Sequence, residues 1–289
     1  MAVARVGGSC TIGDYTVAHM IRPGTAVPAS PQLPFHKWIQ LVSILTLAAC
    51  GPVRPVPIFL WHSVGEGAPN DRYDVSVDEF EQQLQMLNDQ NIKTVTLDQV
   101  LSDWEGRTPL PAKAVVLTFD DGRQCLHDQV MPALLRHGAV GELFLVTGYL
   151  AETAAERKIV INALGRHPYL TWPEVQEMVG SGAFVAESHT VDHPALRKLS
   201  ERQQQHQIVE SRRELQRRLG IPVRYFAYPY GAFNPTTVDI VEQAGYRAAL
   251  SVGKGNNSRY QITRHSVWPS STQQFQAVLK ETFGGPSSR

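Results

Sequence analysis

The stretch AVVLTFDDG, residues 114–122, joins six mostly apolar residues to two adjacent carboxylates and a glycine. A continuous apolar run of this length is typical of a strand buried on both faces, as in a parallel sheet covered by helices. Asp120 and Asp121 begin where that run stops. Two neighbouring carboxylates repel each other, and either a solvated Asp-Gly turn or a nearby cation would explain the pair.

Strands of this kind alternate with amphipathic helices from Val56 onward, which predicts an α/β fold with a largely parallel sheet. About 235 residues in one such run favour a single distorted (β/α) barrel of seven to eight strands over two domains. The predicted strands are VPIFLWH (56–62), KTVTL (93–97), AVVLTF (114–119), GELFLV (141–146), AFVAES (183–188), RYFAY (224–228), RAALSV (247–252) and ITRHSV (262–267).

Helix boundaries are marked by capping residues between these strands. Ser76 precedes a helix and is followed three residues later by Glu79, which predicts a capping box. Asn234 before a proline predicts another helix start. The segment 153–168 shows no clear period, and we expect a loop there at the mouth of the barrel.

The charges of the chain balance, with 27 Lys and Arg residues against 27 Asp and Glu residues, and 43% of the residues are hydrophobic. This composition suits a soluble globular protein and gives no argument for a nucleic-acid partner. One cluster of arginines lies on a predicted helix, where a solvated face is the favoured interpretation. Its members are Arg212, Arg213, Arg217 and Arg218.

Residues 1–50 are predicted to be a leader that is removed, and residues 51–289 are predicted to form the folded domain of the mature protein. The apolar run 38–49 is too short to cross a bilayer, but it suits the hydrophobic region of a secretion signal. It ends in LAAC, residues 47–50, which resembles a bacterial lipobox with Cys50 as the lipidated residue. A buried helix that ends in a chance cysteine is the alternative.

The cysteine count agrees with this prediction. The chain has Cys10, Cys50 and Cys125. Removal of the leader and lipidation of Cys50 would leave Cys125 without a partner, so export would not depend on a disulfide. We therefore expect a protein anchored to a membrane of the bacterial cell envelope, on the periplasmic or outer-surface side.

Polar clusters follow several predicted strands at their carboxyl ends, where active sites of (β/α) barrels are built. His189 and His193 stand four residues apart in one of them, and that spacing alone also occurs by chance. Convergence of several clusters on one rim favours a metal site. The clusters are FDDG (119–122), ESHTVDH (187–193), YPYGAFN (228–234) and TRHS (263–266).

Asp121, His189 and His193 would supply one oxygen and two nitrogens to a divalent metal. Three protein ligands with open positions are typical of a catalytic site, and Zn²⁺ is the default expectation, although Co²⁺ or Ni²⁺ would accept the same ligands. Asp120 would then be free to act as a base toward water at the metal.

The motifs LTFDDG (117–122), SHTVDH (188–193) and FAYPYG (226–231) resemble, in order and spacing, those of the polysaccharide deacetylases, the NodB-like carbohydrate esterase family 4. The resemblance covers roughly residues 56–267. It implies a distorted (β/α) barrel and metal-dependent removal of acetyl groups from a glycan by a catalytic domain at 51–289. It also implies roles for five residues: Asp120 as the base, Asp121, His189 and His193 as the metal ligands, and the backbone N–H of Tyr230 as a donor to the oxyanion.

Two departures from the family pattern affect the site. Many members carry an arginine where this chain has Ala227, and the branch that includes poly-N-acetylglucosamine deacetylases carries a late arginine that Arg264 matches. Many members also use a late histidine as the acid, but His265 points away if Arg264 points inward, because side chains alternate along a strand. His62, at the end of the first strand, is a second candidate for lining the site.

We therefore interpret the chain as an exported, lipid-anchored hydrolase that acts on an acetylated polysaccharide or oligosaccharide. Two alternatives remain at this point. One is an amidase acting on a small molecule, against which the lipid anchor argues. The other is a catalytically silent glycan-binding lipoprotein, which the missing motif arginine keeps open.

Overall fold

The structure is a computed structural model that describes residues 56–67, 71–162, 165–253 and 255–284. The predicted leader, including Cys10 and Cys50, lies outside these residues. Within them, none of the helices combines the length and the apolar character needed to cross a bilayer.

Seven parallel strands form a closed barrel, in the order β1-β12-β11-β10-β9-β6-β5, and pairing of β1 with β5 completes the circle. This confirms the predicted (β/α) barrel. The described strands in chain order are β1 (Ile58–Trp61), β2 (Ser63–Val64), β3 (Asp74–Val75), β4 (Lys93–Thr94), β5 (Ala114–Asp121), β6 (Gly141–Leu145), β7 (Ile159–Asn162), β8 (Gly165–Pro168), β9 (Phe184–Ser188), β10 (Tyr225–Ala227), β11 (Ala248–Val252) and β12 (Ile262–Ser266).

The barrel has seven strands because the predicted strand at 93–97 stops after Thr94. Thr96 instead caps the next helix by accepting a hydrogen bond from the Gln99 N–H. The two residues of β4 pair only with the start of β5, whereas β1 pairs with the later residues 116–119 of the same strand. Strand β4 therefore lies beside the barrel without entering its wall.

Helices connect most of the strands, and two of them begin after the predicted cap residues Ser76 and Asn234. The described helices are α1 (Val77–Asp89), α2 (Leu97–Trp104), α3 (Met131–His137, after a π-helical turn at Leu126–Val130), α4 (Trp172–Gly180), α5 (Glu201–Leu219), α6 (Pro235–Gln243) and α7 (Thr272–Phe283). Asn234 caps α6 as predicted. Ser76 caps α1 by accepting from the Glu79 N–H, but the Glu79 carboxylate binds Ser270 and Thr272 instead of completing the predicted capping box.

The amino-terminal end of the barrel is filled by helix α2. Its apolar residues Leu97, Val100 and Leu101 are fully buried and pack with inward-facing barrel residues such as Phe144. The other side chains of the strands face outward and pack under the helices in a second, larger cluster. One end of the barrel is thus closed by apolar packing, and polar side chains collect at the carboxyl end.

The segment predicted as a loop at 153–168 contains an antiparallel hairpin, so that prediction was wrong in part. Strands β7 and β8 pair from Ile159 with Pro168 inward to the turn. The signal was the run of three β-branched residues Ile159, Val160 and Ile161, which favours a strand but is short. His167 on β8 is buried, whereas Ile161 on β7 is exposed.

Candidate active site

Asp120 and Asp121 both face the carboxyl end of the barrel, although neighbours on a strand normally point to opposite faces. The backbone of Asp121 has a φ of +73°, which breaks the alternation at the last residue of β5. His189 Nε2 consequently lies 3.7 Å from Asp120 Oδ2 and 3.6 Å from Asp121 Oδ1. The turn therefore brings two adjacent carboxylates to one site.

His189 and His193 face each other across the same site. Their Nε2 atoms are 3.2 Å apart, and His193 Nε2 lies 3.3 Å from Asp121 Oδ1. His189 Nδ1 is 2.8 Å from the Ala227 carbonyl oxygen, which can only accept, so this nitrogen carries the hydrogen. His193 Nδ1 is 3.0 Å from the hydroxyl of Tyr230. His189 Nε2 is thereby left with a free lone pair on the side of Asp121 and His193, as metal ligation requires.

The donor set fits a divalent metal. Ligand atoms of Asp121, His189 and His193 all lie within 4.8 Å of one another. Asp121 Oδ1 is buried without a hydrogen-bond partner among the described residues, which is costly for a carboxylate unless a cation satisfies it. These three residues would hold the ion, in agreement with the set predicted from the sequence.

Arg264 engages the other carboxylate. Its Nη1 and Nη2 donate to Asp120 Oδ1 and Oδ2, each over 2.7 Å, and the guanidinium lies over the ring of Phe144. Both side chains are buried. His265, the next residue, is exposed on the opposite face of β12 and contacts Phe59 outside the barrel. The structure therefore brings Arg264 to the site and leaves His265 away from it.

The ionisation of the site follows from these neighbours. Burial lowers the pKa of His189 to about 4, so its imidazole is neutral at physiological pH. Burial alone would raise the pKa of Asp120, but Arg264 and His189 outweigh it and hold that pKa below the ordinary value. Burial would likewise raise the pKa of Asp121, and His193 with His62 reverses the direction. Both carboxylates are thus ionised, which is the form that a general base and a metal ligand need.

Backbone strain collects at this rim. Seven non-glycine residues of the described ranges have a positive φ, and four of them belong to the site. Thr190, with a φ of +74°, is a β-branched residue for which this conformation is a marked outlier. Such strain persists only where the surroundings impose it, and it is common at functional sites. The four site residues are Asp121, Thr190, His193 and Tyr230.

Tyr230 and His62 border the site on two sides. Tyr230 follows β10 in a tight turn with a φ of +58°, and its side chain is 67% exposed. A Cβ on the next residue, Gly231, would lie 2.7 Å from the Val252 carbonyl oxygen, so glycine is required to keep the Tyr230 peptide in place. His62 is partly buried with its ring 4.6 Å from that of Tyr73, and the charges of both site carboxylates act on it.

A buried ionic cluster beside Asp121 was not predicted from the sequence. Arg123 donates to Glu66 over 2.8 Å and also binds Asp71, and His167 Nδ1 lies 2.9 Å from Glu66. The cluster ties the loop after β1 and the β7–β8 hairpin to the turn that carries Asp121. Its only signal in the sequence was the position of Arg123 directly after the Asp-Asp-Gly motif.

Comparisons with known proteins agree with this geometry. Residues 107–249 match the family model described as polysaccharide deacetylase. The Bacillus subtilis protein YxkH is 27% identical over 207 residues, which cover 71% of this chain and 67% of that protein. A poly-β-1,6-N-acetyl-D-glucosamine N-deacetylase of Staphylococcus epidermidis is 25% identical over 224 residues, which cover 73% of each.

The fold has a solved counterpart in the deacetylase PplD of Streptococcus pyogenes, determined in complex with acetate. Its TM-score is 0.68 at 24% identity, over 78% of this chain and 97% of that chain. At this identity the likeness supports the NodB-like barrel. The ordered motifs, the seven-stranded barrel and the match over residues 107–249 make the chain similar to the polysaccharide deacetylases.

Proposed function

We propose that the protein removes N-acetyl groups from a polymer of N-acetylglucosamine in the bacterial cell envelope, with a divalent metal, by default Zn²⁺, as its cofactor. The proposal rests on the different partners of the carboxylates of Asp120 and Asp121. Arg264 occupies both oxygens of Asp120, while Asp121 Oδ1 has no hydrogen-bond partner among the described residues and faces two imidazole nitrogens.

Each side chain then has a separate task. A divalent cation held by Asp121, His189 and His193 would supply Lewis acidity, which polarises a carbonyl and lowers the pKa of water. Asp120 takes the proton from the attacking water, and Arg264 holds its carboxylate in one orientation. The backbone N–H of Tyr230 donates to the oxyanion that forms on the acetamide carbonyl.

Arg264 can also do the work of the arginine that many family members carry at the position of Ala227. In the proposed site the guanidinium reaches the base from β12 and not from the end of β10, where Ala227 lies. It binds both oxygens of Asp120 in the bidentate geometry that favours a fixed carboxylate. A silent binding protein would have no need for this buried pair beside an orphaned carboxylate oxygen, so the arrangement supports a catalytic role.

The substrate class rests on the relatives. The Staphylococcus epidermidis protein is named for poly-β-1,6-N-acetyl-D-glucosamine, and the match covers 73% of both chains. The late arginine is the feature that our chain shares with that branch. We propose a β-linked N-acetylglucosamine polymer as the substrate of this protein, and attachment to the envelope through lipid on Cys50.

Acetate release from a panel of glycans tests the proposal. The panel contains poly-β-1,6-N-acetylglucosamine, chitooligosaccharides, peptidoglycan and O-acetylated xylan, with the Asp120→Asn variant as the control. We expect acetate from the first polymer above the others, and none from the variant. Release from O-acetylated xylan alone would contradict the proposed N-deacetylation, and equal release by the variant would contradict the role of Asp120.

A further inference from the structure

Trp268 is an exposed aromatic residue at the rim of the barrel. It follows β12 by two residues, and β12 pairs in parallel with β1 so that Ser266 lies opposite Leu60. Continuing this register by two residues places Trp268 level with His62. Its side chain is 37% exposed, whereas Trp61 and Trp172 are almost fully buried.

Tyr73 connects Trp268 to the site. The rings of Tyr73 and Trp268 are 5.1 Å apart at 33°, and the ring of Tyr73 is 4.6 Å from that of His62. His62 in turn is within electrostatic reach of Asp120 and Asp121. An aromatic surface therefore extends from the catalytic carboxylates to the outer edge of the rim.

The loop that carries Trp268 is held by hydrogen bonds from its backbone N–H groups to nearby side chains. The Trp268 N–H donates to Ser271 Oγ over 2.9 Å, and Ser270 has a φ of +60°. The Glu79 carboxylate accepts from the N–H groups of Ser270 and Thr272, at 3.0 and 3.1 Å. The indole ring takes part in none of these hydrogen bonds. The loop therefore keeps its shape without the ring, and the ring remains available for contact.

We propose that Trp268, backed by Tyr73, is a stacking platform for the pyranose ring of a sugar next to the one that loses its acetyl group. The inference rests on the proposed function and extends it to a second subsite. A gluco-configured ring carries its substituents equatorially, so its two faces present axial C–H groups, and these pack on the electron-rich face of an indole. The platform makes the enzyme prefer oligomers over single sugars.

The exposed indole of Trp268 offers an apolar face to a sugar ring. Tyr73 packs against Trp268 on one side, and the exposed part of the indole remains for a ligand. A rigid ring with few rotatable bonds loses little entropy on binding, which suits repeated recognition of similar sugar units. A ligand that reaches Trp268 from the carboxylates must pass His62 and Tyr73, which line the intervening surface.

Chain-length dependence of turnover tests the platform. Acetate release is measured on N-acetylglucosamine oligomers of one to six units for the wild type, Trp268→Ala and Trp268→Phe, with Leu135→Ala as a control because Leu135 is an exposed apolar residue on α3. We expect Trp268→Ala to lose about tenfold in kcat/KM on the longer oligomers through KM, with little change on the monomer. Trp268→Phe retains most of the activity, and Leu135→Ala all of it.

Binding supplies a readout that does not need turnover. Oligomers are titrated into the Asp120→Asn variant with and without Trp268→Ala, and the heat of binding is followed by calorimetry. Equal affinity and equal kcat/KM at every length in Trp268→Ala would overturn the platform. Failure of the wild type to release acetate from any oligomer would instead overturn the proposed function, and the binding titration would still decide whether Trp268 contacts sugar.

Discussion

The guanidinium of Arg264 and the carboxylate of Asp120 form two hydrogen bonds of 2.7 Å each inside the barrel. Asp120 Oδ2 lies 3.7 Å from His189 Nε2, so the ion pair holds the Asp120 carboxylate beside the group that would bind a metal. Because the guanidinium remains charged at all relevant pH values, it keeps Asp120 ionised and fixes its orientation. This relationship distinguishes the base from the adjacent ligand Asp121.

Arg264→Lys should lose turnover while it keeps the metal. Lysine retains the charge but not the planar fork, so Asp120 would be held in the wrong orientation. We expect a fall of order 10–1000-fold in kcat, by analogy with other effects on a general base. Arg264→Ala should in addition destabilise the fold by about 3–5 kcal/mol, because it leaves a buried carboxylate unpaired.

The matched control is Arg224→Lys. Arg224 also pairs with an aspartate, Asp98, but this pair is about 40% exposed and lies at the other end of the barrel. It should change neither kcat nor metal content. Normal activity in Arg264→Ala, measured alongside zinc content and the melting temperature, would remove Arg264 from the mechanism.

His193→Ala should abolish metal binding without unfolding the protein. The side chain supplies one of three ligands and lies at the surface of the site, so its loss leaves little buried charge. Zinc content by elemental analysis should fall to background, and added zinc should no longer raise the melting temperature. In the wild type, metal should be lost as the pH falls, because the ligand histidines take up protons. Full zinc occupancy in the variant would show that the ligand set is wrong.

Glu142 should make the protein less stable as the pH rises. Its Oε1 accepts from the Leu97 N–H over 2.7 Å, its Oε2 has no partner among the described residues, and burial raises its pKa to about 8. The native state therefore keeps a proton that the unfolded state loses above about pH 4.5. The free energy of unfolding should fall by about 1.4 kcal/mol per pH unit between about pH 5 and 8.

Glu142→Gln should weaken this dependence and raise stability at neutral pH, while Glu187, whose pKa is also raised by burial, continues to favour a proton in the native state. Urea unfolding at several pH values measures the effect, and the exposed Glu242→Gln serves as the control. A slope that is unchanged in Glu142→Gln would mean that another group carries the proton.

Cys50→Ser should release the protein from membranes or leave it unprocessed. The expectation follows from LAAC at residues 47–50 after a short apolar run. Mass spectrometry of native material should find a chain that starts at a lipid-modified Cys50. An unmodified chain that extends to the amino-terminal side of Cys50 would contradict the lipoprotein prediction.

Local patterns were sufficient to predict the barrel and the position of its site. The buried run before Asp120 and the histidine spacing at His189 place side chains at strand ends, and parallel strands bring those ends together. Alternation along β12 predicted that Arg264 and His265 point to opposite faces, and the structure shows that Arg264 is the one that points inward. These features depend on near neighbours in the sequence, which is why they could be read from it.

Other features depend on contacts between distant segments. The left-handed backbone of Asp121 and Thr190 is imposed by the surrounding rim and contradicts the ordinary preference of these residues. Glu79 matched the pattern of a capping box, but its carboxylate instead accepts hydrogen bonds from the N–H groups of Ser270 and Thr272, about 190 positions later. Tyr73 and Trp268 give no sequence signal of their contact, because it forms between the residue before β3 and a loop after β12, almost 200 positions apart.

Metal dependence of acetate release tests the central claim most directly. The purified protein is treated with a chelator, assayed on poly-β-1,6-N-acetylglucosamine, and assayed again after one equivalent of Zn²⁺ is added, with Asp120→Asn in parallel. We predict that release stops in the chelated enzyme and returns with zinc in the wild type, whereas Asp120→Asn binds zinc and stays inactive. Full activity after verified removal of metal, or recovery of Asp120→Asn on addition of zinc, would contradict the account.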